Sequence, residues 1–164
     1  MKKVKGLSDV RKNGNYGTRL VEAAMGTKEL VTEYLKALEG GNLEGVLALF
    51  TPDGVVYSPI YGKAPARDFY VGIFKDSPKT EVKLLGLLGR GETTSGGTMT
   101  GYWARFSNVL ARGAHHELEV VVVMELKGDK ISALHIVMDT AFIRPTFDKD
   151  TERAPTGQQP APAK

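Results

Sequence analysis

TMTGYWARFSNVL (98–110), HHELEVVVVMEL (115–126) and KISALHIVMDTAFI (130–143) follow one another with only short connections between them. Each run is rich in β-branched and aromatic residues, and each connection, 111–114 and 127–129, carries a glycine. Neighbouring runs are therefore expected to pair as antiparallel strands. A meander of this length has a broad apolar face, so upstream elements must fold over it, and the space between can hold a ligand. In the middle run His116, Leu118, Val120, Val122 and Met124 alternate with Glu117, Glu119, Val121, Val123 and Glu125. The three carboxylates assign the second set to the outer face and the first to the covered one. By the same alternation Leu134, Ile136 and Met138 face inward, and His135 and Val137 outward. For the first run the pattern alone leaves the facing of Trp103, Arg105 and Ser107 open.

Upstream, Leu30, Val31, Tyr34, Leu35 and Leu38 recur at helical spacing. Thr27 stands where a cap would start that helix, with Glu29 in its first turn. Gly40-Gly41 stops it, and Asn42 caps a second helix reaching residue 50. Pro52-Asp53-Gly54 predicts a turn before a short strand over 55–59. A third helix over 66–74 presents Phe69, Tyr70, Ile73 and Phe74, and a strand over 81–88 leads through a loop into the meander. Helices first and strands after make this an α+β chain.

The expected organisation is a basic, largely flexible extension over 1–26 that can hold a short helix over 17–25, one folded domain over 27–143 and a disordered, proline-rich tail over 144–164. The net charge of +3 divides as +4, −2 and +1 over those three segments. The positive excess thus lies in the extension, and no aromatic-plus-basic strand signature of an RNA-binding sheet is present, which argues against a nucleic-acid partner. No run approaches the roughly 18 apolar residues of a membrane helix, and no signal-peptide core follows the basic start. A cytoplasmic protein with no membrane partner is the expectation, and the lack of cysteine accords with it. His115 and His116 point to opposite faces, and with three histidines, no cysteine and no H-x-x-x-H spacing, neither a metal nor a cofactor is expected. The loop GETTSGGT (91–98) lacks the lysine of a phosphate loop and joins two strands, so it is not read as a nucleotide site.

The stretch VTEYLKALEGGNLEGVLALFTPDGVVYSPIYG (31–62), followed by a helix and the meander, resembles the nuclear transport factor 2-like superfamily. Its enzyme branches include SnoaL-like polyketide cyclases, ketosteroid isomerases and limonene-epoxide hydrolases. The resemblance implies a cone, a curved antiparallel sheet wrapped around N-terminal helices with an internal apolar pocket, and commonly a homodimer. The outer sheet face, with Val121, Val123, His135 and Val137, is the expected dimer surface. Ligand-binding candidates are Tyr57, Phe69, Trp103, Leu118, Val120, Val122, Met124, Ile136 and Met138.

The resemblance also assigns candidate chemistry residue by residue. Tyr34 falls where ketosteroid isomerases carry the tyrosine that donates to a substrate carbonyl; the competing reading is a core aromatic with its hydroxyl satisfied locally. The isomerase carboxylates are replaced by Ser58 and Val122, and a serine without a base cannot take a carbon-bound proton. Arg105 matches an arginine of the epoxide hydrolases, which would place it and Trp103 inside the cone. The aspartates that accompany that arginine are replaced by Ser107 and Ile136. The competing reading sends Arg105 to solvent. Asp139, near a strand end, reaches the pocket mouth or caps the exit. The expected function is binding of a small, mostly apolar molecule, carbonyl- or carboxylate-bearing, with isomerase, cyclase or hydrolase chemistry as an extension. The rival is a non-catalytic dimerisation or protein-binding module of the same fold.

Overall fold

The computed structural model describes residues 15–141 and 143–145, with side chains from residue 26 onward. Much of the proposed extension and nearly all of the proline-rich tail lie outside the described residues. The element order is α1 (Asn15–Glu39), α2 (Leu43–Leu47), β1 (Phe50–Ser58), β2 (Gly62–Pro65), α3 (Ala66–Asp76), β3 (Lys79–Glu92), β4 (Thr98–Val109), β5 (His115–Lys127) and β6 (Lys130–Val137). The strands form one curved, unclosed six-stranded sheet in the order β2-β1-β6-β5-β4-β3. Pairing is antiparallel throughout except for β1 beside β6, which run parallel.

The meander folds as its sequence requires. Its two turns place Gly113 at φ 94° and Gly128 at φ 63°, a region where a side chain would clash with its own backbone. Val120, Val122 and Met124 are buried to 5% exposure or less, and Leu134 completely. The four glutamate- and valine-bearing positions 117, 119, 121 and 123 face outward. On α1, Val31, Tyr34, Leu35 and Leu38 are all buried against this concave face, each contributing about 1.5–3 kcal/mol.

The first strand of the meander overturns an expectation. Gly101, Tyr102, Ala104 and Phe106 are buried, whereas Trp103 and Arg105 are exposed. The pairing explains it: Trp103 stands opposite Val121 and Arg105 opposite Glu119, and directly opposed residues share a face. Glu119 accepts from Trp103 Nε1 at 2.9 Å and from Arg105 at 3.2 Å, so both side chains are satisfied on the outer surface.

Element boundaries differ in several places: β3 runs past residue 88 to Glu92, and β6 ends at Val137, six residues before Ile143. Thr27 does not cap α1, which begins twelve residues earlier at Asn15. Its side chain is 1% exposed and its hydroxyl bonds Thr100 at 3.0 Å, so a tertiary contact takes the oxygen that a cap would have offered to the backbone. Asn42 does cap α2, accepting from the Gly45 amide at 2.9 Å, but that helix ends at Leu47. The Pro52-Asp53-Gly54 turn is absorbed into β1 as an irregularity between Phe50 and Val55, and Phe50 and Val56, to either side of it, are both buried in the core.

Candidate functional site

α1, α3 and the concave side of β4, β5 and β6 form a cavity of ≈ 100 Å³, room inside for several waters or for one ring of a longer molecule that continues to the solvent-facing rim. Its walls are mainly apolar. Of the residues expected there, Tyr34, Phe69, Leu118, Val120, Val122, Ile136 and Met138 line it. Met124 is fully buried in the adjoining core but does not reach the space.

Four expected site residues lie elsewhere. Arg105 and Trp103 occupy the outer face, as described. Tyr57 is 36% exposed because its neighbours Val56 and Ser58 point inward; its ring stacks on His135 at 4.6 Å between centroids, with Lys63 above it. Asp139 is exposed and accepts from the Ala141 amide at 2.9 Å, so it shapes the chain after β6 instead of entering the cavity.

The closed end of the cavity is a cluster of three tyrosines from three elements: Tyr34 on α1, Tyr70 on α3 and Tyr102 on β4. None is more than 3% exposed. The Tyr34 and Tyr70 hydroxyls are 2.8 Å apart, the Tyr34 and Tyr102 ring centroids 6.0 Å. The Tyr102 hydroxyl is buried near that of Tyr34 but makes no hydrogen bond of good geometry. Burial pushes the Tyr34 phenol up to about 12 and raises Tyr70 and Tyr102 well above the ordinary tyrosine value, because a phenolate in an apolar wall loses its hydration. All three are therefore neutral donors at physiological pH.

Six residues along β4 from Tyr102, the lining reaches Asn108, which stands opposite His116 of β5. At about 3.3 Å per residue this is roughly 20 Å of strand. Here Asn108, His116, Leu118, Ile136 and Met138 are half-buried, and the lining meets solvent. Ile143, which is 7% exposed, packs over this end with Ile60 and Leu110, while the Arg144 guanidinium donates to the Pro59 carbonyl.

No Asp, Glu, Lys or Arg is among the described lining residues. Ser58 accepts from the Ile60 and Tyr61 amides at 3.2 Å each and is thus committed to a turn. His116 also lines the cavity. Sequence reasoning left Tyr102 out of the site. The signal was the hairpin about 111–114, which sets residue 105 opposite 119 and so turns 102 inward.

The model of the SnoaL-like domain matches residues 31–134. This chain belongs to the SnoaL-like family. No curated protein matches the SnoaL-like chain. Among solved structures it is similar to a nuclear transport factor 2-like protein of unknown function from Burkholderia pseudomallei K96243, with 16% identity over 78% of this chain and 98% of that one at TM-score 0.61. It is also similar to TerC co-crystallised with polyporic acid, with 13% identity over 75% and 98% at TM-score 0.62. A third is a protein with a ketosteroid isomerase-like fold from Catenulispora acidiphila DSM 44928, in complex with trimethylamine. It shares 13% identity over 82% and 99% at TM-score 0.59. At such identities the likeness establishes the fold of this SnoaL-like domain, a nuclear transport factor 2-like α+β cone. Among the described residues, no helix is long and apolar enough to cross a membrane.

Proposed function

We propose that this SnoaL-like domain binds a small, neutral, mostly apolar molecule whose carbonyl oxygen accepts a hydrogen bond from Tyr102. The observation that carries this reading is the Tyr102 hydroxyl, buried beside Tyr34 without a hydrogen bond of good geometry at the closed end of an apolar cavity. Three phenols bring three protons, and contacts among the three hydroxyls use at most two of them, which leaves one for a ligand. A buried hydroxyl without a partner costs about 1–3 kcal/mol, so an acceptor supplied by a ligand recovers what the fold leaves unmet. A carboxylate is the poorer match. Arg105, which would have paired with it, is on the other side of the sheet, and an unpaired charge in an apolar wall is strongly disfavoured. TerC, a protein of similar fold, was co-crystallised with polyporic acid, which accords with a small-molecule ligand. Isomerase chemistry of the carboxylate type lacks its base here, and any proton transfer in the cavity falls to His116.

Calorimetric titration with 1-tetralone, a bicyclic ketone, tests the assignment. The unaltered protein is expected to bind it, and Tyr102→Phe to bind about fivefold more weakly, the worth of one neutral hydrogen bond. Equal affinities would reject Tyr102 as the donor.

The outer sheet face favours a second, compatible reading as a homodimer surface. Trp103, Val121 and Val137 form one row across three strands, with Trp103 41% and Val137 59% exposed. An apolar row of this kind on a sheet usually meets a partner.

A further inference from the structure

Among the described residues, two further buried polar groups of the cavity wall lack a hydrogen-bond partner, both toward the opposite end: Ser77 follows Asp76, whose carbonyl accepts from the Ala111 amide, and His116 stands opposite Asn108. Ser77 Oγ and His116 Nε2 are both buried without a hydrogen bond, and both residues line the cavity. Ser77 is only 5% exposed. Its backbone amide closes α3 by donating to the Ile73 carbonyl at 2.8 Å, which fixes the main chain. Serines at such positions commonly bond a nearby backbone group; this hydroxyl does not. Buried polar atoms in native folds are almost always paired, so two unpaired ones on one cavity wall point to a partner that arrives with the ligand.

We propose that Ser77 and His116 form a second polar subsite, and that it takes a hydroxyl group of the bound molecule. This rests on the reading that a neutral ketone occupies the cavity with its oxygen at Tyr102. The chemistry of the wall selects a hydroxyl over an anion. No cation lines the cavity, and Asp76, next to Ser77 in the chain, is buried with its carboxylate accepting from Tyr61 at 2.9 Å. The wall also selects a hydroxyl over a second carbonyl. A neutral imidazole nitrogen donates or accepts according to tautomer, and a hydroxyl meets either state while Ser77 takes the complementary role. A carbonyl can only accept.

The ligand class that follows is an elongated hydroxyketone with an apolar middle. The carbonyl lies at the closed tyrosine end and the hydroxyl near the half-buried rim, with Phe106, Leu118 and Val120 along the walls between. The two ends lie along about 20 Å of strand at the level of the backbone, and side chains leaning inward shorten the gap that a ligand must span.

Two pairs of ketones test this by calorimetric titration: 1-tetralone against 6-hydroxy-1-tetralone, and the longer 4-acetylbiphenyl against 4-acetyl-4′-hydroxybiphenyl. In the unaltered protein the hydroxyl is expected to tighten binding about fivefold in at least one pair. In Ser77→Ala and in His116→Leu the ratio within that pair should fall toward one. Ser77→Ala removes a single oxygen and keeps the test decisive if His116→Leu fails to fold. No tightening in either pair, or a ratio unchanged in Ser77→Ala, overturns the subsite while leaving the ketone reading intact. Failure of both parent ketones to bind overturns the ketone reading and this inference with it.

Discussion

Tyr34, Tyr70 and Tyr102 have a consequence that needs no ligand. Each keeps its proton in the folded state to higher pH than it would in the unfolded chain, because burial raises all three. Between pH 10 and about 12 the unfolded chain therefore binds fewer protons than the folded one, and stability falls as pH rises through that window. The contribution is fully present below pH 10. Absorbance titration of the six tyrosines should show three resisting ionisation beyond pH 11 until the protein unfolds. A single transition for all six near pH 10 in the folded protein would contradict the buried cluster. Tyr34 was legible in the sequence because it belongs to a long helical stripe. Tyr102 was not, since the β4 alternation offers an aromatic on each face, Tyr102 on one and Trp103 on the other. Apolarity therefore could not choose between the faces; the charge pair Arg105–Glu119 does.

Elements were more legible than their ends. The strands of the meander follow the alternation closely, because one side is buried and a slip by one residue would expose the whole set. Helix α1 was read as two pieces, a short helix over 17–25 and a longer one from Thr27, because Thr27 offers the sequence signature of a cap, whereas its hydroxyl is used across the fold by Thr100. β2 escaped notice since GKAP carries no apolar pattern and pairs only at the sheet edge. The outer faces of β4, β5 and β6 bear on association. Val123 lies opposite His135, which donates from Nε2 to the Glu125 carboxylate at 2.7 Å and stacks on Tyr57. If this face joins two copies, light scattering at micromolar concentration should give a dimer, and Val137→Lys a monomer. Val137 is 59% exposed, so the lysine should leave the melting temperature of each subunit unaffected by core strain. A monomeric unaltered protein would dismiss the interface.

At the scale of the whole molecule, the α+β class and the covered meander could be read directly, since local spacing and short turns determine them. The parallel pairing of β1 with β6 could not, because nothing local links strands so distant in the chain. The segment after β6 is likewise structural. Ile143 is buried over the outer end of the cavity and Arg144 ties it to Pro59. A chain trimmed to residues 15–148 is expected to melt within about 2 °C of the full chain. One trimmed to 15–138 should melt roughly 4–10 °C lower, given about 1.5–3 kcal/mol for one buried isoleucine side chain. Equal melting of the two would deny Ile143 that role.

The β1–β6 pair sets Tyr57 beside His135, so the middle of the sheet is a seam between chain regions made far apart in time. During synthesis β1 and its hairpin partner β2 emerge long before β6 does. Until then the ribosome carries a half-sheet whose inner edge, with Val56 apolar and main-chain groups unpaired, has nothing to dock against. The cone cannot close vectorially from its N-terminus. It must wait for the last strand, and the nascent chain's exposure to chaperones and to stray strand pairing is set by translation through the meander rather than by the speed of local folding.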